Sequence, residues 1–556
     1  MRGRQVFMDS LRAHGARAIF GNPGTTENPV LDSLIDYPEI GYYVALHEGV
    51  AVCAAGFYAQ ASGSTAVANV HVAPGLGNAI GMMYGALKAC APVIVTAGQQ
   101  DTRMRLRDPV LRHDLVAMAS PVCKWAVEPQ SADEMALIMR RAFKIANEPP
   151  AGPVFVALPV NVMEQETDLG AETSGLVYRH TLPDPEGVRR LAELLAAARN
   201  PALVAGDEVA VQGAGRQLTA LAERCGAAVY VEFLRSRQPL TFGHPCFQGR
   251  VPYEVAKIRE LFAPHDLVVL FGGPFFEEVW FDEGAFMPPD TIVAQVESAP
   301  SRLAHNFSLD LGLAGYLPST FDALNEALDR ATGAEFVAAS QARLATLTAA
   351  RERTAAAFAG QLERAASDSG VMTSAQVMDT VSRAMPADAV LVDESITGSI
   401  DLSNAHTSRD ADNFFGFRGG GIGQGIAGAL GVAVAHPERR VVAQSGDGSA
   451  MYSIQALWTA AHHGLKLVFV ILSNREYRVL KHNLDIYRQR FNAISDKPYP
   501  HMDLTRPGLG FVEMAAGMGV PAQQVETVEA LKAALETAFA SDGPYLIDAV
   551  IAGKPG

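Results

Sequence analysis

The chain has 556 residues, 49% hydrophobic and 19% charged, so two to four well-packed domains are expected and a disordered chain is excluded. Its formal net charge of -15 argues against a nucleic-acid or anionic-membrane partner, because both need a basic face. The five cysteines (Cys53, Cys90, Cys123, Cys225, Cys246) are an odd number with no C-x-x-C pair, which suits a reducing compartment and makes neither a zinc site nor a disulfide framework.

Residues 1–15, MRGRQVFMDSLRAHG, read as an amphipathic helix without the apolar core and cleavage site of a secretory signal. No stretch is long and apolar enough to span a bilayer, so the expectation is a soluble, cytoplasmic protein. Short apolar, β-branched runs then recur: 65–72 (TAVANVHV), 92–97 (PVIVTA), 154–158 (VFVAL), 203–205, 267–271 (LVVLF), 390–392, 441–444 and 467–472 (LVFVIL). Helical patterns separate them. Strands alternating with helices predict an α/β fold of doubly wound parallel sheets. Residues 161–180 are polar and patternless, and Asp184-Pro185-Glu186 then opens a helix with an N-cap and a first-turn proline. An Ala-rich helical run over 331–366 ends in Ser-Asp-Ser-Gly at 367–370, and Thr373 and Gln376 are spaced as a capping box. The expected domains are 1–165, 184–335 and 371–556.

The first and third segments echo each other. Residues 65–97 run strand, glycine turn (APGLGN), helix (AIGMMYGALKA), strand. Residues 441–474 run strand, glycine turn (SGDGS), helix (MYSIQALWTAA), strand. Two similar domains flanking a third suggest a ligand shared by the similar pair.

Residues 445–477 are the most informative. Gly446-Asp447-Gly448-Ser449 follows a strand and starts a helix, where free N–H groups meet phosphate oxygens. Asn474 lies 27 positions beyond Asp447 (474 − 447), at the end of the next strand, so both oxygens reach one sheet edge. A carboxylate, an amide oxygen and a backbone carbonyl, added to diphosphate oxygens, make an octahedral Mg²⁺ site. A Gly-Asp-Gly turn alone is common; the spaced Asn and the strand–helix–strand pattern make it informative. Just upstream, Gly423 to Gly428 formally matches G-x-G-x-x-G, but the preceding FGFRGGG does not read as a strand, so no NAD site is expected. At 44–49, VALHEG gives a short strand ending in Glu48 and then a small-residue helix. An acid at a helix start is by itself ordinary dipole capping.

These motifs resemble the thiamine-diphosphate-dependent 2-keto acid decarboxylases and carboligases, a family that includes pyruvate decarboxylase, acetolactate synthase and, most similar in pattern, benzoylformate decarboxylase. The resemblance runs through FGNPGT (20–25), Glu48, GLGN (75–78), VTAGQQ (95–100), Lys124-Trp125, Glu394-Ser395, GGIG (420–423) and 446–477. It implies thiamine diphosphate and Mg²⁺ as cofactors. Asp447, Asn474 and the Glu476 carbonyl are the implied metal ligands. Thr397, Gly446, Gly448, Ser449, Tyr452 and Tyr477 are implied around the diphosphate. Glu48 is implied on the pyrimidine ring as activating acid, Gly420 as acceptor for the cofactor's amino group, and Ile422 as the wedge that keeps its two rings bent. His71 and Thr25 are implied in catalysis, and His113 as a loop-borne substitute for a second histidine. The resemblance further implies a homodimer or homotetramer with the cofactor between chains, acting on a small-molecule 2-keto acid and on an aldehyde acceptor.

Three departures bear on substrate. Val279 stands where benzoylformate decarboxylase has its second active-site histidine, Asn483 where it has an aromatic residue, and the loop 101–114 carries four arginines and His113. They point to a smaller or more polar keto acid, or to carboligation. The leading expectation is non-oxidative 2-keto acid decarboxylation with carboligase activity. The alternatives are an acetolactate-synthase-like carboligase, and a non-catalytic cofactor-binding protein of the same fold. The middle domain has no evident flavin-binding match, so no FAD is expected.

Overall fold

The computed structural model describes residues 1–553 apart from 278, 368–369, 407–412, 494 and 496. Part of the polar break expected at 367–370 therefore lies outside the described residues. Two compact units form, one of Met1–Val177, Ser369–Leu402 and Phe417–Gly556, the other of Tyr178–Asp368 and Ser403–Gly416.

Three six-stranded sheets carry the fold. The first contains β1 (Ala18–Gly21), β2 (Gly41–Val44), β3 (Ala66–Val70), β4 (Val93–Gln99), β5 (Trp125–Val127) and β6 (Val154–Pro159), in the order β2-β1-β3-β4-β6-β5. The second contains β7 (Pro201–Ala205), β8 (Ala228–Val231), β9 (Phe247–Arg250), β10 (Leu267–Phe271), β11 (Ile292–Glu297) and β12 (Leu311–Ala314), in the order β12-β11-β10-β7-β8-β9. The third contains β13 (Val390–Glu394), β14 (Phe414–Gly416), β15 (Val441–Gly446), β16 (Leu467–Ser473), β17 (Ala522–Val525) and β18 (Tyr545–Val550), in the order β14-β13-β15-β16-β18-β17. Pairings such as Val70↔Ala97 and Gly446↔Leu472 are parallel. The inner strands β4, β6 and β16 are buried at every position. Burial on both faces explains why they read as unbroken apolar runs rather than alternating ones.

The helix signals work as expected at two places. Asp184 accepts from the Glu186 and Gly187 N–H groups ahead of the helix Pro185–Ala197. Thr373 and Gln376 close a capping box on the helix Ser374–Ala384. Two glycine-rich segments differ from expectation. The helix Val72–Lys88 begins directly after His71, so APGLGN forms its first turns rather than a separate turn. Pro74 is tolerated there because first-turn N–H groups have no helical partner. In the third domain the helix expected over 451–461 starts only at Ala456, after the short helix Asp447–Ala450 and five residues of turn and bend.

In the first unit the helices Glu48–Ser62 and Gln424–Ala435 pack against each other. Gly431 comes so close to the Ala54 carbonyl that a side chain there would collide with it. Both helices are buried along most of their length, which accounts for sequences with almost no polar face. No helix among the described residues is long and apolar enough to cross a membrane.

Candidate active site

The carboxyl edge of the third sheet forms the first part of the site. Asp447 follows β15 and Asn474 follows β16, and the register Gly446↔Leu472 brings them side by side. They line a cleft together with Thr397, Gly446, Gly448, Ser449, Glu476 and Tyr477. The buried Asp447 carboxylate accepts from the Gly448 N–H (2.7 Å) and the Arg475 N–H (2.6 Å). Burial raises this carboxyl to about 6; the two N–H bonds oppose the rise, and Asp548 and Glu476 add to it. The Asn474 amide oxygen accepts from the Glu476 N–H at 3.1 Å. The Glu476 side chain accepts from Arg478 (3.2 Å) and Lys481 (2.6 Å). Among the described residues no three His, Cys, Asp or Glu side chains gather as a metal cage. The Asp447–Asn474 pair could supply part of an oxygen set of the kind that divalent cations take beside phosphate oxygens. Tyr477 packs on Gly448, whereas Tyr452 is 60% exposed.

The carboxyl edge of the first sheet holds the second part. Glu48 is buried at the start of its helix and accepts from the Asn78 amide at 3.0 Å. Gly75 also lies against its carboxylate. The GLGN segment therefore reaches Glu48 from the first turns of the helix that His71 immediately precedes. His71 Nδ1 is 2.8 Å from the Glu27 carboxylate and 3.1 Å from the Thr26 hydroxyl. Thr25, the threonine singled out in the sequence, is exposed, and it is Thr26 that touches His71. His113 is exposed; its Nδ1 accepts from the Asp114 N–H, and its carbonyl accepts from Gln99 at the end of β4. Asn483 donates to the Val479 carbonyl within its own helix.

The third part is the loop carrying Gly420, at φ +70°, and the half-buried Ile422. The segment FGFRGGG (415–421) is strand only at its first two residues, the end of β14, and six further residues precede Gly423, so the glycines do not follow a strand directly as an NAD site requires. Glu394 also opposes a pyrophosphate there: its buried carboxyl accepts from the N–H groups of Gly423 (2.8 Å), Gln424 (3.0 Å) and Gly425 (2.7 Å). The helix end where a phosphate would bind is already taken. Burial pushes Glu394 up to about 7 against the pull of those three bonds.

Three β-strand ends in these regions pass into residues with positive φ: Val72 after His71 (φ 40°), Ile396 before Thr397 (φ 52°) and Arg475 after Asn474 (φ 59°). Two of them are β-branched, for which this conformation is an outlier costing about 1–3 kcal/mol. Sequence reasoning missed Glu27, Asn78 and the capping role of Glu394. Glu27 stands only two residues beyond Thr25 in GNPGTTE, but the acid shows its use only once folding brings it to His71.

A parallel three-sheet α/β chain, with an Asp–Asn oxygen pair at one sheet edge and a buried Glu at another, defines a thiamine-diphosphate enzyme. Family models agree. The N-terminal TPP binding domain of the thiamine pyrophosphate enzymes matches residues 1–118, the central domain 188–324 and the C-terminal TPP binding domain 406–549. The chain is 33% identical over 543 residues to benzoylformate decarboxylase of Pseudomonas aeruginosa, covering 97% of this chain and 96% of the relative. It is 27% identical over 551 residues to the acetolactate synthase isozyme 2 large subunit of Escherichia coli, covering 98% and 95%. Among solved structures, the thiamine diphosphate-dependent 4-hydroxybenzoylformate decarboxylase of Rhodococcus jostii RHA1 superposes with a TM-score of 0.86 at 27% identity, with 100% of both chains covered. The chain belongs to the thiamine pyrophosphate enzyme family, and it is a thiamine-diphosphate-dependent carboxy-lyase or carboligase.

Proposed function

We propose that this enzyme releases CO₂ from a 2-keto acid without oxidation, giving an aldehyde, and that it also joins the decarboxylated fragment to an aldehyde acceptor. The observation carrying the decarboxylase reading is His71, a partly open imidazole that immediately precedes the helix whose first turns hold Gly75 and Asn78 against Glu48. In this reading His71 is the proton-transfer group and Glu48 the acid that would activate the cofactor.

The residues present fit thiamine diphosphate and Mg²⁺. Asp447, Asn474 and the Glu476 carbonyl would hold the cation, whose charge would favour the ionised form of the buried Asp447. Thr397, Gly446, Gly448 and Ser449 would receive the diphosphate, with Tyr477 packed beneath and Tyr452 at the margin. Glu48 would hydrogen-bond the pyrimidine ring, the Gly420 carbonyl would take its amino group, and Ile422 would support the bend between the rings. When bound, the cofactor supplies the electron sink for the carbon–carbon bond that breaks. His71 delivers and removes protons at the reacting carbon and oxygen. Thr25 contacts the substrate carboxylate, and His113, exposed on the loop, is at most an auxiliary proton group beside His71. Flavin has no place in the proposal. In the central domain Arg302 pairs with Glu208 and lies near Glu297, at the carboxyl side of the sheet.

Asn483 and the arginine-rich loop 101–114 favour a smaller or more polar keto acid than benzoylformate. The test is a panel of 2-keto acids assayed for CO₂ release with and without an added aldehyde. Release without acceptor, with 2-hydroxyketone appearing when acceptor is added, is expected. Strict dependence of CO₂ release on a second keto acid would replace this reading with the acetolactate-synthase-like one.

The working domain division is 1–165, 184–335 and 371–556, and the three family segments fall inside those bounds. The absence of any disulfide among the five cysteines is compatible with a cytoplasmic location. The Asp447 cleft draws its lining from residues 395–551 and none from the first domain, so Glu48 of the same chain is not part of it. This supports a dimer, or a tetramer of dimers, in which each site joins Glu48 of one protomer to Asp447 of its partner. Mixing inactive Glu48→Gln and Asp447→Ala proteins under subunit exchange should recover activity, because one site of each mixed dimer carries neither lesion. No recovery despite verified exchange would show that each chain builds its own site.

A further inference from the structure

Glu27 is 1% exposed, yet its carboxylate has four donors around it. Oε2 accepts from the Gly24 N–H (2.9 Å) and from His71 Nδ1 (2.8 Å). Oε1 accepts from the Gly98 N–H (2.7 Å) and from the Thr26 hydroxyl (3.0 Å). Four bonds fill the lone-pair positions a carboxylate offers, so Glu27 acts as acceptor only. His71 Nδ1 must then carry the proton. The Thr26 hydroxyl, 3.1 Å from Nδ1, gives its own hydrogen to Glu27 and is left to accept. The hydrogen-bond network thus assigns the tautomer: neutral His71 has a bare Nε2, and 24% of the side chain stays open.

The packing around Glu27 leaves little freedom. A side chain on Gly98 would collide with Glu27 Oε1, and one on Gly24 would collide with the His71 ring. The carboxylate is therefore held by the ends of two strands and the loop after β1, with the imidazole as its one ionisable partner among these four donors.

We propose that Glu27 is a positioning residue that fixes the Nδ1–H tautomer of His71 and stabilises the imidazolium formed when Nε2 takes a proton. In that step a new N–H bond forms at Nε2 while the donor's bond to the same proton breaks, and the electron pair stays on the donor. The Nδ1 proton remains on His71, and Glu27 remains a carboxylate throughout. A buried acceptor behind a catalytic histidine is a general solution to orientation and charge. The inference rests on His71 being the proton-transfer group.

The test uses the cofactor-loaded enzyme and the best keto acid from the panel above. Glu27→Gln keeps the volume but offers an amide where Nδ1–H needs an acceptor. Its kcat should fall about 10²-fold, with KM and cofactor affinity, followed by the circular dichroism of the bound cofactor, within about threefold of wild type. The limb of the pH–kcat profile that His71→Ala abolishes should be displaced in Glu27→Gln, and Glu27→Asp should restore part of kcat. In a His71→Ala background, Glu27→Gln should cost less than about threefold, because its effect runs through the histidine. Wild-type kcat in Glu27→Gln, or the same loss with and without His71, overturns the proposal while leaving the His71 assignment standing. Wild-type kcat in His71→Ala overturns both. Should Glu27→Gln not fold, the Glu27→Asp profile decides: a displaced limb supports the proposal and an unchanged limb overturns it.

Discussion

The first and third sheets share one strand order, and at matching strand ends they present unlike groups. β3 ends against His71, and its counterpart β15 ends against Asp447. Each then turns directly into a helix, Val72–Lys88 in one domain and the short Asp447–Ala450 in the other. A common frame supplies the position, and the side chain supplies the chemistry: an imidazole in one domain, a carboxylate in the other. The central sheet has a different order, and its carboxyl edge is closed by charge. Arg302 reaches Glu208 at 2.6 Å and Glu297 at 3.9 Å.

The sharpest contrast between the two outer domains lies between Asp447 and Glu48. Asp447→Ala should lose both cofactor binding and turnover, measured by titration with thiamine diphosphate and Mg²⁺, and excess cation should not rescue it. Glu48→Gln should still bind the cofactor but lose most turnover, with slowed hydrogen–deuterium exchange at the cofactor's reactive carbon. Normal exchange in Glu48→Gln would remove the distinction between a binding domain and an activating one.

A second contrast lies within the first domain. His71→Ala should lower kcat about 10²–10⁴-fold, the range of a positioned acid–base group. His113→Ala should cost less than about tenfold, since its side chain is exposed and its Nδ1 is occupied by the neighbouring amide. The reverse ranking, read from steady-state kinetics, would move the proton chemistry to the loop.

The smallest expected effect concerns the central sheet and is one of stability. Burial raises the Glu297 carboxyl to about 7, with Glu208 adding to the rise and Arg302 opposing it. A raised carboxyl in the folded state means that folding favours the neutral form. The penalty is absent below the ordinary carboxyl range near pH 4.5, grows as pH rises, and is complete above about pH 7. Glu297→Gln should therefore be more stable than wild type at pH 8, by something on the order of 1–3 kcal/mol, with the gain fading toward pH 5. Equal denaturant midpoints at pH 8 would show that Arg302 already offsets the buried charge.

Much of this was legible from residue types in order. Apolar runs such as LVVLF and LVFVIL announce buried parallel strands because burial on both faces removes alternation. Asp447 and Asn474 are readable because one helix and one strand of fixed length separate them. Other features depend on folding. Phe414–Gly416 is too short to register as a strand. APGLGN looks like a turn by composition, yet it forms the first turns of the helix that starts at Val72, right after β3 and His71. Glu27 lies 44 positions before His71 (71 − 27), and no local spacing announces that contact. Thr25 and Thr26 are identical in type, so only the backbone path decides which one meets the imidazole.

The three N–H bonds to Glu394 mean that the helix Gln424–Ala435 arrives with its own internal guest. Free chloride, phosphate or a stray nucleotide finds no vacancy at its positive end, even though the glycine pattern advertises one. The distance between a sealed helix start and an anion receptor is here a single side chain. A lineage, or a designer, replacing Glu394 with a small neutral residue would expose three convergent donors on a scaffold already shaped to bring backbone close to phosphate.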